Sequence, residues 1–444
     1  MALYASARLG QALRMRKRLL PLLIAFVLAG LRATALAAAP ADPVATLRLA
    51  LMLGCDAAAS TPAAMAAQLP GALAARQEPI PPKGPPIGRR WIFTLAEGGQ
   101  VLLDRYAQGG RLLTLLAEYD APRNGTPQPQ LAALGNEGCF LKSGRRLVYG
   151  PDGHAEAVEL LDADMAPTGS RERLDADVPA GQDPGGVTVA QVDTGVNYLL
   201  PAIGDRLARD AAGHALGYDY WEMDARPFDR HPVVSPFFPE RHGTKTASVL
   251  LREAPQIRLI PYRYPRPDMS RFGALIDDAA AKGAAILTLS LGSDDRADWQ
   301  AFAAAAGRHP EMLIVVSAGN DGRDLDRTPV YPAALELANK ITVTSADRAT
   351  GRPARDANWG SRTVDLAVPA EGIPVIGFAG EEERVSGSSY AAPRVAALAA
   401  RLLLAHPGWH AAELEAAIFA RAKPVIVGGK PLLSHGVIFN PLAP

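Results

Sequence analysis

Cysteine and surplus charge are what this sequence of 444 residues has least of: it holds only Cys55 and Cys139, and 46 basic side chains face 46 acidic ones. Balanced charge without a long Lys/Arg stripe excludes a nucleic acid held through its phosphates. Also missing is an apolar run of the roughly 20 residues that a helix needs to span a bilayer. Asp321, Asp324 and Asp326 loosely follow the spacing of a calcium loop but lack its Gly turn and terminal Glu, so neither a metal nor a cofactor is expected. What is present is apolar substance: hydrophobic residues make up 48% of the chain, too many for a disordered polymer. The length suits one large domain with a smaller companion.

The apolar stretch Leu19 to Leu31 follows the basic residues Arg14, Arg16, Lys17 and Arg18 and precedes Ala35-Leu36-Ala37. This order predicts a signal peptide over 1–37, export to the periplasm or the exterior, and no membrane span once it is cut. An oxidising compartment allows Cys55 and Cys139 to pair, which would be worth roughly 4 kcal/mol. Residues 38–90 read as an Ala/Pro-rich arm, because Pro79, Pro81, Pro82, Pro85 and Pro86 enforce extended backbone. Over 91–165, alternating runs flank Gln108-Gly109-Gly110 and Pro151-Asp152-Gly153, the signature of successive β-hairpins. The Pro- and Gly-rich segment 166–186 reads as a linker.

From 187 to 444 the texture changes. Apolar strands (Val187 to Val192, Ile257 to Tyr262, Ile286 to Leu291, Leu313 to Ser317, Ile341 to Thr344, Val364 to Ala367) alternate with Ala-rich helices. Near-continuous Val/Ile/Leu runs predict an α/β domain whose parallel sheet carries helices on both faces. Three motifs fall at strand ends or helix starts, where such sheets place ligands. Asp193 ends a strand before Thr194-Gly195, His242 opens a helix with Gly243-Thr244, and Ser389 sits between Gly387-Ser388 and a long Ala-rich helix. Taken singly, these are a turn former, a local hydrogen-bonding histidine and a helix cap. The acidic residues near Asp219, Asp224 and Asp229 read as a solvated loop.

Together with Leu289-Ser290-Leu291-Gly292-Ser293, Ser317-Ala318-Gly319-Asn320, Asn358-Trp359-Gly360 and Gly436-Val437-Ile438-Phe439-Asn440, in this order, the segments around Asp193, His242 and Ser389 resemble the subtilisin-like serine peptidase family. The resemblance covers about 187–444 and leaves the N-terminal region unrecognised. It implies a subtilisin-like fold preceded by a small β-rich domain, protein or peptide substrates, and an exported serine endopeptidase. It further implies Ser389 as nucleophile, His242 as general base, Asp193 as orienter of the imidazole and Asn320 as oxyanion donor. Ser290, Leu291 and Gly292 resemble the edge that pairs with an extended substrate backbone. Contact between the N-terminal domain and the peptidase domain is expected. Tyr390 and Ser388 depart from the usual neighbours of the nucleophile, and Lys245 and Thr246 from those of the histidine. Two other readings use the same residues: a catalytically silent peptide-binding protein, and an acyl transferase. A base titrating near neutrality predicts activity that rises between about pH 6 and 8.

Overall fold

A computed structural model of the chain describes residues 42–56, 60–80, 87–151, 153–231 and 235–443. The signal-peptide reading of 1–37 lies outside them. Eight antiparallel strands, each paired with the next, form a meander: β1 (Ala72–Ile80), β2 (Gly88–Leu95), β3 (Gln100–Gln108), β4 (Arg111–Arg123), β5 (Thr126–Gly135), β6 (Leu141–Tyr149), β7 (Ala155–Leu161) and β8 (Pro167–Arg173). The expected hairpins are there, β3 with β4 around Gly109-Gly110 and β6 with β7.

The meander is larger than the sequence suggests. Residues 43–56 of the expected arm form helix α1 (Pro43–Asp56), whose Leu47, Ala50, Leu51 and Gly54 recur at helical spacing and are buried against the sheet. A short helix, α2 (Pro62–Ala66), and β1 complete the layer. Cys55, at the end of α1, forms a disulfide with Cys139 beyond β5. The expected linker likewise begins with strand β8. Beyond it the backbone is tied down along the second half of the chain: Tyr198 donates its hydroxyl to the Ala176 carbonyl, and Asp183 pairs with Arg258 at 3.0 Å.

The second half is built on a parallel sheet. Its strands are β9 (Val187–Asp193), β10 (Tyr218–Asp219), β11 (Ile257–Arg263), β12 (Ile286–Leu289), β13 (Leu313–Ser317), β14 (Lys340–Ala346) and β15 (Leu366–Pro369), with Gly436–Val437 on the far edge. The spatial order is β10-β11-β9-β12-β13-β14-β15. The intervening helices are α3 (Pro201–Gly204), α4 (Gly243–Glu253), α5 (Phe272–Ala281), α6 (Gln300–Arg308), α7 (Ser388–Ala405) and α8 (Ala411–Phe419), and a hairpin of β16 (Ile373–Ile376) and β17 (Glu382–Val385) precedes α7. Successive side chains face opposite layers: Ile286, Leu313 and Val315 pack with α4 and α7, while Leu287, Ile314 and Val316 pack with α5 and α6. This double burial explains the unbroken apolar runs.

The strand order reverses at β9, whose neighbours are β11 on one side and β12 on the other. A crevice therefore opens at the carboxyl end of β9, and Asp193 is its last residue. The two halves meet at the loop before α4. Phe237 is fully buried among Leu116, Ala132, Leu147, Val158 and Leu174 of the meander. Ser235 donates to Glu118 of β4, Arg145 donates to the Phe237 carbonyl at 3.0 Å, and Arg230 donates to the Ala155 carbonyl at 3.1 Å.

Candidate active site

Asp193 and His242 are brought together by backbone that only glycine permits. A Cβ on Gly243 would lie 1.9 Å from the Gly195 carbonyl, so its absence lets the start of α4 press onto the turn after β9. The His242 imidazole Nδ1 then lies 2.7 Å from the Asp193 carboxylate. The same carboxylate accepts from the Thr194 backbone N–H at 2.8 Å and the Thr246 hydroxyl at 2.9 Å, so it is held on three sides and 3% exposed. With Nδ1 bonded to a carboxylate, the free lone pair of the neutral ring is on Nε2.

Ser389 is in the first turn of α7, behind Gly387 at φ 129°. A Cβ at Gly387 would stand 3.2 Å from the Asn320 side chain, so glycine keeps this corner open. The Asn320 Oδ1 accepts the Ser388 N–H at 2.8 Å, which leaves its Nδ2 as the donor end for an incoming oxygen. Asn358, fully buried, holds the Asn320 loop by accepting from the N–H groups of Asp321 and Arg323 and donating to the Ala318 carbonyl. Ser290, Leu291 and Gly292 run on beyond the last ladder residue of β12 and are partly or fully exposed. The Ser290 hydroxyl donates to the Ser389 carbonyl at 2.9 Å. Asp193, His242, Ser389 and Ser290 to Gly292 line one open cavity of about 400 Å³.

Burial alone would depress the His242 pKa, but the Asp193 charge and hydrogen bond outweigh it, and the imidazole is pushed up to about 9. This is above the window expected from residue type. The Tyr390 ring is 5.8 Å from the His242 ring, and burial raises its hydroxyl well above its usual range. Tyr390 thus walls the imidazole instead of filling the cavity. Lys245 is engaged by Glu383 at 2.8 Å.

The expectation of a solvated acidic loop is overturned at Asp219 and Asp229, while Asp224 stays partly exposed beside Arg226. Asp229 is fully buried and accepts from the Thr194 hydroxyl at 2.5 Å and the Thr244 N–H at 2.8 Å. Burial raises its pKa, with these hydrogen bonds opposing. Asp219, 2% exposed, pairs with the buried Arg263 at 2.8 Å. Thr194, Thr246 and Asp229 are a supporting shell that the sequence reading missed. Thr246 carried a usable signal, since it is one helical turn from His242 and shares its face. Among the described residues no three His, Cys, Asp or Glu side chains converge as a metal would require. Asp326 is taken up by Ser361, Arg362 and Thr363.

The family model described as the subtilase family matches residues 185–436, and the chain belongs to that family. The meander precedes the match. Among curated relatives, a thermophilic serine proteinase of Bacillus sp. (strain AK1) is 30% identical over 249 residues, covering 52% of this chain and 55% of the relative. An alkaline serine exoprotease A of Vibrio alginolyticus is 28% identical over 259 residues, covering 56% and 44%. The chain therefore spans about half the length of these relatives. A solved structure, a cold adapted subtilisin-like serine proteinase, matches 60% of this chain and 93% of its own at 24% identity and a TM-score of 0.47. No described helix is long and apolar enough to cross a membrane.

Proposed function

We propose that the protein is an exported serine endopeptidase in which Ser389 attacks the peptide carbonyl and His242 accepts its proton. A serine hydroxyl is a poor nucleophile at its own pKa, so a base must take the proton as attack proceeds. Asp193 holds the tautomer with its free lone pair on Nε2 and stabilises the imidazolium that forms. Negative charge then appears on the carbonyl oxygen, where the Ser389 N–H and Asn320 Nδ2 donate to it. His242 returns the proton to the leaving amine, and water repeats the sequence on the acyl-enzyme. Main-chain pairing along Ser290 to Gly292 positions an extended polypeptide, which favours protein substrates over small amides.

The observation that carries this reading is the 2.7 Å contact between Asp193 and His242 in an open cavity that Ser389 also lines. A permanently silent binding protein would have no physical use for a carboxylate that two further donors hold behind an imidazole. The test is incubation with a denatured protein and a serine-directed phosphonylating probe, with Ser389→Ala alongside. Cleavage and labelling are expected of the wild type alone; labelling that persists in the variant would refute the nucleophile assignment.

A further inference from the structure

The cavity at Ser389 does not end at His242. It shares Glu240 and His242 with a second cavity of about 340 Å³, which adds Lys245 and Tyr390. That cavity in turn shares Arg241, Phe378 and Glu381 with a third of about 530 Å³. The third is the crease between the meander and the peptidase half, and Arg145, Arg171 and Arg173 of β6 and β8 form its meander side. These arginines lie outside the family match.

The direction of this groove follows from the chemistry. The acyl half of a substrate lies along Ser290 to Gly292, whereas the leaving amine must be within reach of His242. The second cavity includes His242 and none of residues 290–292, so it continues on the leaving-group side. Charge then changes along the groove. Glu240, Glu381 and Glu383 accompany Arg241 and Lys245 in the middle, while four arginines and two glutamates line the far end. Arg145 is occupied by Glu172 at 3.0 Å and Arg171 by Glu159 at 3.2 Å. Arg173 is exposed and has no carboxylate partner among the described residues. Arg241 lies 3.9 Å over the Phe378 ring and donates through Nη1 to the Asp229 carbonyl. A guanidinium stacked on an aromatic floor and an exposed arginine in the same crease are suited to a carboxylate.

We infer that the crease is a substrate subsite contributed by the N-terminal domain, which binds acidic side chains downstream of the scissile bond. This rests on the serine peptidase reading, which supplies the direction of the chain. In the test, labelled peptides carrying an Asp pair or a Lys pair, moved from the second to the sixth residue after the cut, are titrated onto Ser389→Ala and offered to the wild type. At the best position the Asp peptide is expected to bind about tenfold more tightly than its Lys partner, and to be cleaved with a kcat/KM higher by a similar factor. Arg173→Ala should bring the ratio close to one, Arg173→Glu should invert it, and added salt should shrink it. Equal affinities at every position, or a ratio untouched by Arg173→Glu, would overturn the subsite. Acid-selective binding to Ser389→Ala with no cleavage by wild type would instead sink the peptidase reading and leave the crease standing as a binding site.

Discussion

At His242 two opposing effects decide the pH profile. The Asp193 charge and hydrogen bond override the burial of the ring, and proton abstraction needs the neutral form. Activity is therefore expected to be low at pH 7 and to rise through about pH 9, measured as kcat/KM on a peptide substrate. The stability sign is opposite. The folded pKa exceeds the ordinary 6.5, so the stabilisation is complete below pH 6.5 and disappears as pH climbs through 9. Melting temperatures of Ser389→Ala should fall across that window, and less so in the double variant with His242→Ala. Asp193→Asn should lower kcat by about 10⁴, because the wrong tautomer faces the serine. Asn320→Ala should cost about 10²–10³ in kcat with little change in KM, which single-substrate kinetics will read. Of these residues, Asp193, His242, Asn320 and Ser389 were legible because each is embedded in a short motif and the motifs fall in a known order. Thr246 could be reached from its helical spacing to His242, but Thr194 and Asp229 could not: a hydroxyl or a carboxylate on a loop carries no local sign that it will be buried against another segment.

Among the elements, the six apolar strands expected in the second half were legible to within about two residues, since burial of both sheet faces leaves an apolar run that polar neighbours delimit; β10, the β16–β17 hairpin and α3, too short to show a pattern, were not. Helix α1 was overlooked although Leu47, Ala50, Leu51 and Gly54 repeat at helical spacing, because the prolines further on dominate the reading of 38–90. The loop before α4 is the least legible element and has two consequences. Phe237 fills a socket in the meander, so Phe237→Ala should cost about 3–5 kcal/mol by chemical denaturation, with a loss of kcat/KM, because the same loop leads into His242. Glu118, against Ser235, has its pKa lifted to about 7, chiefly by burial and against the Ser235 hydrogen bond. A raised carboxyl pKa means stability lost as pH rises from about 4.5 to 7. Glu118→Gln should therefore raise the melting temperature at pH 8 and leave it nearly unchanged at pH 4.

For the whole molecule, the pairing of Cys55 with Cys139 closes a loop within the meander alone, so reduction should lower the stability of that half by roughly 4 kcal/mol. Calorimetry with and without reductant will measure it. The segment after β8 is tied down by Ala176 and Asp183, and no described residue of the meander lines the cavity at Ser389. The active protein is accordingly expected to retain both halves. Mass spectrometry that finds active material starting within 174–186 would contradict this. How the halves dock was not legible, since it depends on a phenylalanine and a sheet face that are far apart in sequence.

The socket has an implication for how the protein is made. Leu116, Ala132, Leu147, Val158 and Leu174 all leave the ribosome before Phe237, so the receptor can be finished while the second half is still being translated. The nascent second half then threads the loop before α4 onto a prepared template, and a gene rearranged to encode 187–443 first would forgo that head start.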